Sequence, residues 1–308
     1  MSLLKKAIFT FLIFFNGAIN SESILIQNAT IYDGKNNNAF VGNVLIEDNK
    51  ISRVSTANLR GDLVIDATGK ILTPGIIPTD TNIGIVEIGA LSVTRDDSSD
   101  LYQIGFSIYD AFNPNSVLIP WNRSNGITST LSLPQYTDSP IGGLGSFFVL
   151  DSNLKISGSK DIAMIGRVGG SGGESRAETF SVIEDLLEFA VSLDTRDMGS
   201  YKEIAELIED SPIAETMELH PRDVKALHRL VNDDLPLIIN SNRASDLLKL
   251  IDLKVQYNLN LIIMGAQEAG LVATQIAEND IPLIINPINN IPGSFDELAA
   301  NIELAGNL

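Results

Sequence analysis

Apolar and polar positions along the first third of the chain follow a short period. Residues 24–33, 44–47 and 51–54 read as strands with side chains alternating between two faces, and the intervening turns, 34–38 and the Asp48-Asn49 pair, carry Gly, Asn and Asp. Alternation with period two broken by such turn residues predicts a small β unit, too small to be stable alone. The second half has a different pattern. Residues 235–240, 261–264 and 281–286 are continuous apolar runs of strand length, and residues 244–257 and 269–279 are amphipathic helices between them. Strands that are apolar on both faces and alternate with helices predict a parallel sheet built from βα units. A closed (β/α) barrel and an open doubly wound sheet both fit that pattern.

The N-terminus stands apart. Lys5 and Lys6 precede the apolar run 7–15, and Gly17, Ala18, Ile19, Asn20 and Ser21 follow it. This order of basic, apolar and small residues predicts a secretory signal peptide over residues 1–20, because the apolar run is too short to cross a hydrocarbon core of roughly 30 Å. Residues 21–70 are then the β segment and 71–308 the larger domain. No later stretch reaches the roughly 18 apolar residues of a spanning helix, so no membrane partner is expected after cleavage.

The chain has no cysteine, which excludes disulfides, thiolate metal sites and a cysteine nucleophile. Export without disulfides suits a bacterial periplasm. The net charge of −18 becomes −20 when Lys5 and Lys6 leave with the leader, since no acid lies in residues 1–20. A chain that acidic repels phosphate backbones, so nucleic acid is excluded as a partner, while a small-molecule substrate or ligand and self-association stay open.

Residues 166–173 are rich in glycine and run into Ser175 and a helix from Arg176, with Ser175 and Glu178 at capping-box spacing. No Lys-Ser or Lys-Thr follows the glycines, so a phosphate loop is not supported.

At residues 73–84 the chain reads Thr-Pro-Gly-Ile-Ile-Pro-Thr-Asp-Thr-Asn-Ile-Gly, directly after a β unit ending in Val64-Ile65-Asp66-Ala67-Thr68-Gly69-Lys70. The pair resembles the start of the amidohydrolase family, where a β-sandwich segment leads into a Thr-Pro-Gly strand that delivers a His-x-His pair. Residues 140–145, 172–176, 237–244 and 265–269 add to the likeness, which is nearest to a secreted branch similar to imidazolonepropionase.

The resemblance implies an α/β fold: a TIM-like (β/α)₈ barrel with a small N-terminal β-sandwich segment. It also implies that the barrel is incomplete here, with the run 281–286 as seventh strand and the eighth strand, its aspartate and the closing sandwich strands missing. The family's site lies at the C-terminal ends of the strands, where a divalent metal activates water against a C–N bond.

The family's histidine positions fall on other residues in this chain. Asp80 and Asn82 stand for the first pair, Asn240 or Asn242 for the histidine after residues 237–239, and Gly265 or Ala266 for the next. The chain's two histidines, His220 and His228, lie outside these strand ends and read as solvated helix residues. The resemblance therefore implies Asp80 as catalytic carboxylate, Asp80 and Asn82 as weak metal ligands, and Asn240, Asn242, Arg243 and Glu268 as substrate-binding residues. Zinc prefers several neutral nitrogen donors, so an intact zinc site is not expected from one carboxylate and amide oxygens. Two functions stay open: a hydrolase of non-peptide amide or cyclic-amide bonds with weakened or lost activity, and an inactive barrel that binds a small ligand or partner.

Overall fold

The computed structural model describes residues 22–308 apart from 37, 152, 171–174 and 194–198. The expected leader, and residues 171–174 of the glycine-rich segment, lie outside the described residues. The chain divides into two compact units, the first ending at Gly75 and the second spanning Ile76–Leu308.

The first unit is a single five-stranded sheet rather than a sandwich of two. Strands β1 (Ile24–Ile31), β2 (Phe40–Glu47), β3 (Lys50–Ser55) and β4 (Leu63–Asp66) lie in the order β3-β2-β1-β4, and β5 (Ile71–Leu72) also pairs with β1. β1 is antiparallel to β2 and parallel to β4 and β5. The pairing of β5 carries the boundary past residue 70 to Gly75. The small core is Ala29, Ile31, Val44 and Ala67.

The second unit is built on a six-stranded sheet in the order β11-β10-β9-β8-β7-β6. Its strands are β6 (Ser129–Ser132), β7 (Ile141–Val149), β8 (Gly158–Arg167), β9 (Leu237–Ser241), β10 (Leu261–Gly265) and β11 (Leu283–Ile284). β8 to β11 are mutually parallel, as the apolar runs predict. β7 is antiparallel to both of its neighbours, a feature the sequence pattern did not suggest.

Residues 76–81 extend the sheet beyond β6 without forming a regular strand. Ile76 bridges Ile127 and Thr81 bridges Ser132, both in parallel, and Pro78 O and Thr81 O accept from Leu131 N and Leu133 N. The continuous strand expected over residues 73–79 is interrupted because Pro74 and Pro78 cannot donate to a ladder. Counted along the sheet from this segment, β11 is the seventh strand, with β7 the one antiparallel member.

Helices α1 (Leu118–Ser124), α2 (Arg176–Ser192), α3 (Tyr201–Glu209), α4 (Pro212–Thr216), α5 (Pro221–Asn232), α6 (Ala244–Tyr257), α7 (Ala273–Glu278) and α8 (Leu304–Asn307) complete the unit. Ser175 caps α2 by accepting from Glu178 N. α6 occupies the residues its periodicity predicts and ends where Asn258 takes a left-handed conformation, which Asn tolerates better than most residues. The expected helix 269–279 is a 3₁₀ turn, Ala269–Leu271, followed by α7.

The helices cover one face of the sheet. Leu186, Leu187, Leu227, Leu247 and Leu250 pack with Leu237, Ile239, Leu261 and Ile263 of β9 and β10. Because side chains alternate along a strand, Ile165, Ile238 and Met264 point to the opposite face, where they cluster with Leu133. The result is a half-barrel sheet with helices outside and a second apolar layer inside.

Candidate active site

The same alternation that turns Ile165 and Ile238 inward turns Arg167 and Asn240, two residues further on, to the inner face at the C-terminal ends of β8 and β9. The parallel segment 76–81 ends at the same edge, beside Ser132. A cavity of about 440 Å³ opens there, lined by Asp80, Thr81, Asn82, Arg95, Leu133, Tyr136 and Arg167 among others, a volume within the ordinary range for small-ligand sites.

Tyr136 is the hub. It comes from the loop that joins β6 to the antiparallel β7, and that loop turns at the cavity edge because the chain reverses there instead of leaving for the helix layer. Burial, and next the Asp80 carboxylate, push its phenol up from 10.0 to about 12, against a hydrogen bond with the Asn240 side chain and the Arg167 guanidinium. Tyr136 therefore keeps its proton through the whole physiological range and serves as a hydrogen-bond donor. The Arg167 guanidinium lies over its ring, 5.3 Å from the centroid. One wall is fixed by a buried ion pair: Arg95 Nη2 donates to Asp97 Oδ2 at 2.8 Å, and Asp97 is 2% exposed.

Asp80, Asn82 and Asn240 are thus brought together around Tyr136. The other three expected site residues are committed elsewhere. Asn242 Nδ2 donates to Glu297 Oε1 at 3.0 Å. Arg243 Nη2 pairs with Asp246, which also accepts from Arg176 Nε at 2.7 Å. Glu268 is buried and accepts from two backbone amides, Ala244 N on Oε2 and Ala299 N on Oε1, each at 2.9 Å. It ties the start of α6 to the loop that follows β11.

His220 is the N-cap of α5, with Nδ1 accepting from Arg222 N and its ring edge-on to Tyr102 at 5.0 Å. It is half-buried rather than simply solvated, and it has no part in the cavity.

The donors present do not suit the divalent metal that amidohydrolases use. At these strand ends they are one carboxylate and the carbonyl oxygens of Asn82 and Asn240, and no group of three or more His, Cys, Asp and Glu among the described residues is arranged to hold an ion. Gly265, where a further histidine would stand, has φ +85°, and a Cβ there would lie 2.4 Å from Asn242 Oδ1. That backbone leaves no room for a ligand side chain. The donor set does not fit zinc, which takes nitrogen and sulfur donors in tetrahedral geometry.

Tyr136 and Arg167 were not among the expected residues. Arg167 sits at a strand end and was legible as such once residues 158–167 were recognised as β8, whereas no local signal marks Tyr136.

No family model matches the chain. The structure superposes on an amidohydrolase from Thermotoga maritima with a TM-score of 0.72 at 21% identity, over 92% of this chain and 75% of that one. The fold is therefore that of an amidohydrolase barrel. A dihydroorotase from Lactobacillus helveticus is 47% identical over 53 residues, 17% of this chain and 12% of the relative. A 5'-deoxyadenosine deaminase from Methanothermobacter thermautotrophicus is 44% identical over 69 residues, 22% of this chain and 16% of the relative. These are local likenesses, and the matched stretches span less than a fifth of either relative.

Proposed function

We propose that the chain is a hydrolase of carbon–nitrogen bonds in amides or cyclic amides, and that Asp80 is its general base. The observation that carries this reading is that Asp80 and Tyr136 line one cavity at the C-terminal edge of the sheet, with the Asn240 side chain hydrogen-bonded to Tyr136. Support also comes from the deaminase and dihydroorotase likenesses, both of enzymes that act on C–N bonds.

In this reading the substrate carbonyl lies against Tyr136 and Asn240, whose O–H and Nδ2–H donate to its oxygen. A water held by Asp80 attacks the carbonyl carbon while its proton passes to the Asp80 carboxylate. The negative charge that develops on oxygen is stabilised by the two donors already in position. Collapse of the tetrahedral species breaks the C–N bond, and the proton moves from Asp80 to the leaving nitrogen, giving a carboxylic acid and an amine. Asp80 would do this without a tightly held zinc ion, because the surrounding donors are amides. The basic, apolar and small order of the N-terminus supports export in this reading, with the reaction outside the cytoplasm.

The test compares the parent protein with Asp80→Asn on a panel of acyl amides and cyclic amides, with elemental analysis of the same samples. The expected result is turnover that falls at least about a hundredfold in the variant, in keeping with the usual contribution of a general base. Stoichiometric zinc, or turnover unaffected by the substitution, overturns the assignment of Asp80. Ligand binding without turnover in the parent protein favours the binding barrel instead.

A further inference from the structure

The cavity holds two charged groups with opposite signs that do not neutralise each other. Arg95 is satisfied by Asp97 and by the carbonyl of Gly89. Arg167 is not. Among the described residues its guanidinium has no ion pair and donates to no protein acceptor, its contact being the face of Tyr136. Asp80, whose charge also acts on that phenol, likewise has no ion-pair partner among the described residues, so the two charges are not within salt-bridge reach of each other.

The Arg167 side chain is half-buried, lines the cavity and has its guanidinium donors free for an incoming acceptor. Its planar fork matches a carboxylate in two parallel hydrogen bonds. The Tyr136 ring, 5.3 Å from the guanidinium carbon, holds the side chain by a cation–π contact, which reduces the freedom lost when an anion arrives. Asp80 lines the same cavity without pairing with Arg167, and its charge repels an anion. A molecule with a carboxylate at one end and a neutral amide at the other therefore has one favoured orientation, amide toward Asp80.

We propose that Arg167 is a carboxylate anchor and that the substrates are amides bearing a carboxylate a short distance from the scissile bond, such as N-acyl amino acids or carboxylated cyclic amides. The proposal rests on reading the cavity as a C–N hydrolase site. It goes beyond that reading by naming the part of the substrate that is not cleaved and the residue that selects it. Arg167 is a positioning and specificity residue, whereas the reacting carbonyl belongs to Asp80, Tyr136 and Asn240.

The experiment is calorimetric titration of the full chain with a panel of N-acetyl amino acids, each paired with its neutral carboxamide, on the Asp80→Asn background so that binding is read without turnover. At least one acid is expected to bind about tenfold or more tightly than its carboxamide, as charge-assisted bidentate pairs usually deliver. Arg167→Met should reduce that preference to within about twofold, and Arg167→Lys should restore part of it, an outcome a merely structural residue would not give. Thermal melts of all variants check that each is folded. Equal affinity for acid and carboxamide, a preference that survives Arg167→Met, or no binding by any acid in the panel overturns the anchor. Failure of the catalytic reading looks different: a preference for carboxylates that depends on Arg167, with no turnover of any amide by the parent protein, leaves the anchor standing and removes the hydrolase. Turnover of neutral amides that Arg167→Met does not alter does the opposite.

Discussion

Glu268 offers the sharpest separation of scaffold from site. It stands at the end of β10, where the resemblance places a substrate-binding residue, yet both its carboxylate oxygens are occupied by backbone amides 2.9 Å away. The Glu268→Gln substitution keeps size and shape and leaves one oxygen. The other position becomes an amide nitrogen facing the N–H of Ala244 or Ala299, two donors with nothing between them. Hydrogen bonds to a charged group contribute roughly 1.5–3 kcal/mol net, and a buried donor left unmatched costs a further ~1–3 kcal/mol. At 7% exposure there is little solvent to make good the loss. The expected cost is about 2.5–6 kcal/mol, a large part of the ~5–15 kcal/mol that separates folded from unfolded domains. With a urea slope near 3 kcal/mol/M, the midpoint should fall by about 1–2 M at unchanged slope. The assay is urea denaturation followed by circular dichroism, alongside KM for any amide the parent protein turns over. A midpoint that does not move, together with a several-fold rise in KM, refutes this account and returns Glu268 to the substrate.

Two further substitutions test the cavity and its rim. Tyr136→Phe should lower kcat by roughly 10²–10³ at little cost in stability, the usual effect of deleting one donor to a developing oxyanion, and it should remove from the 295 nm absorbance titration the component near pH 12. Because the folded phenol titrates above the ordinary 10.0, the folded chain holds a proton that the unfolded chain has released; the associated stability is complete below pH 10 and is lost as pH climbs to about 12, a loss the Phe variant should not show. Gly265→Ala should destabilise by roughly 1–3 kcal/mol, since φ is +85° and the new Cβ would meet Asn242 Oδ1 at 2.4 Å; a melting temperature equal to that of the parent protein would contradict that geometry.

Much of the second unit was readable because its signals are local. Residues 237–241, 261–265 and 244–257 are buried strands and a helix whose apolar periodicity is set by the faces they bury. Asp80 and Asn240 were legible only through the resemblance, as the residues that fall on the family's histidine positions. β7 was not, since its sequence, Ile-Gly-Gly-Leu-Gly-Ser-Phe-Phe-Val, mixes glycine with apolar residues and carries no mark of its direction. Without β7 there is no reason for the 133–140 loop to turn over the cavity, so Tyr136 was invisible as well. Asn242, Arg243 and Glu268 were placed at the right strand ends, but their partners, Glu297, Asp246 and the amides of Ala244 and Ala299, are supplied by tertiary packing.

The antiparallel β7 also bears on how the chain reaches this structure. Parallel neighbours such as β9 and β10 pair only after the helix between them has been laid down, so their contacts close long loops and come late. β6, β7 and β8 are joined by short connections instead and form a meander of neighbours in sequence. That meander is the part of the sheet whose loop-closure entropy is lowest. It provides a template edge at β8 onto which β9, β10 and β11 add in order, so amides of β7, flanked on both sides, should gain exchange protection first during refolding and those of β11 last.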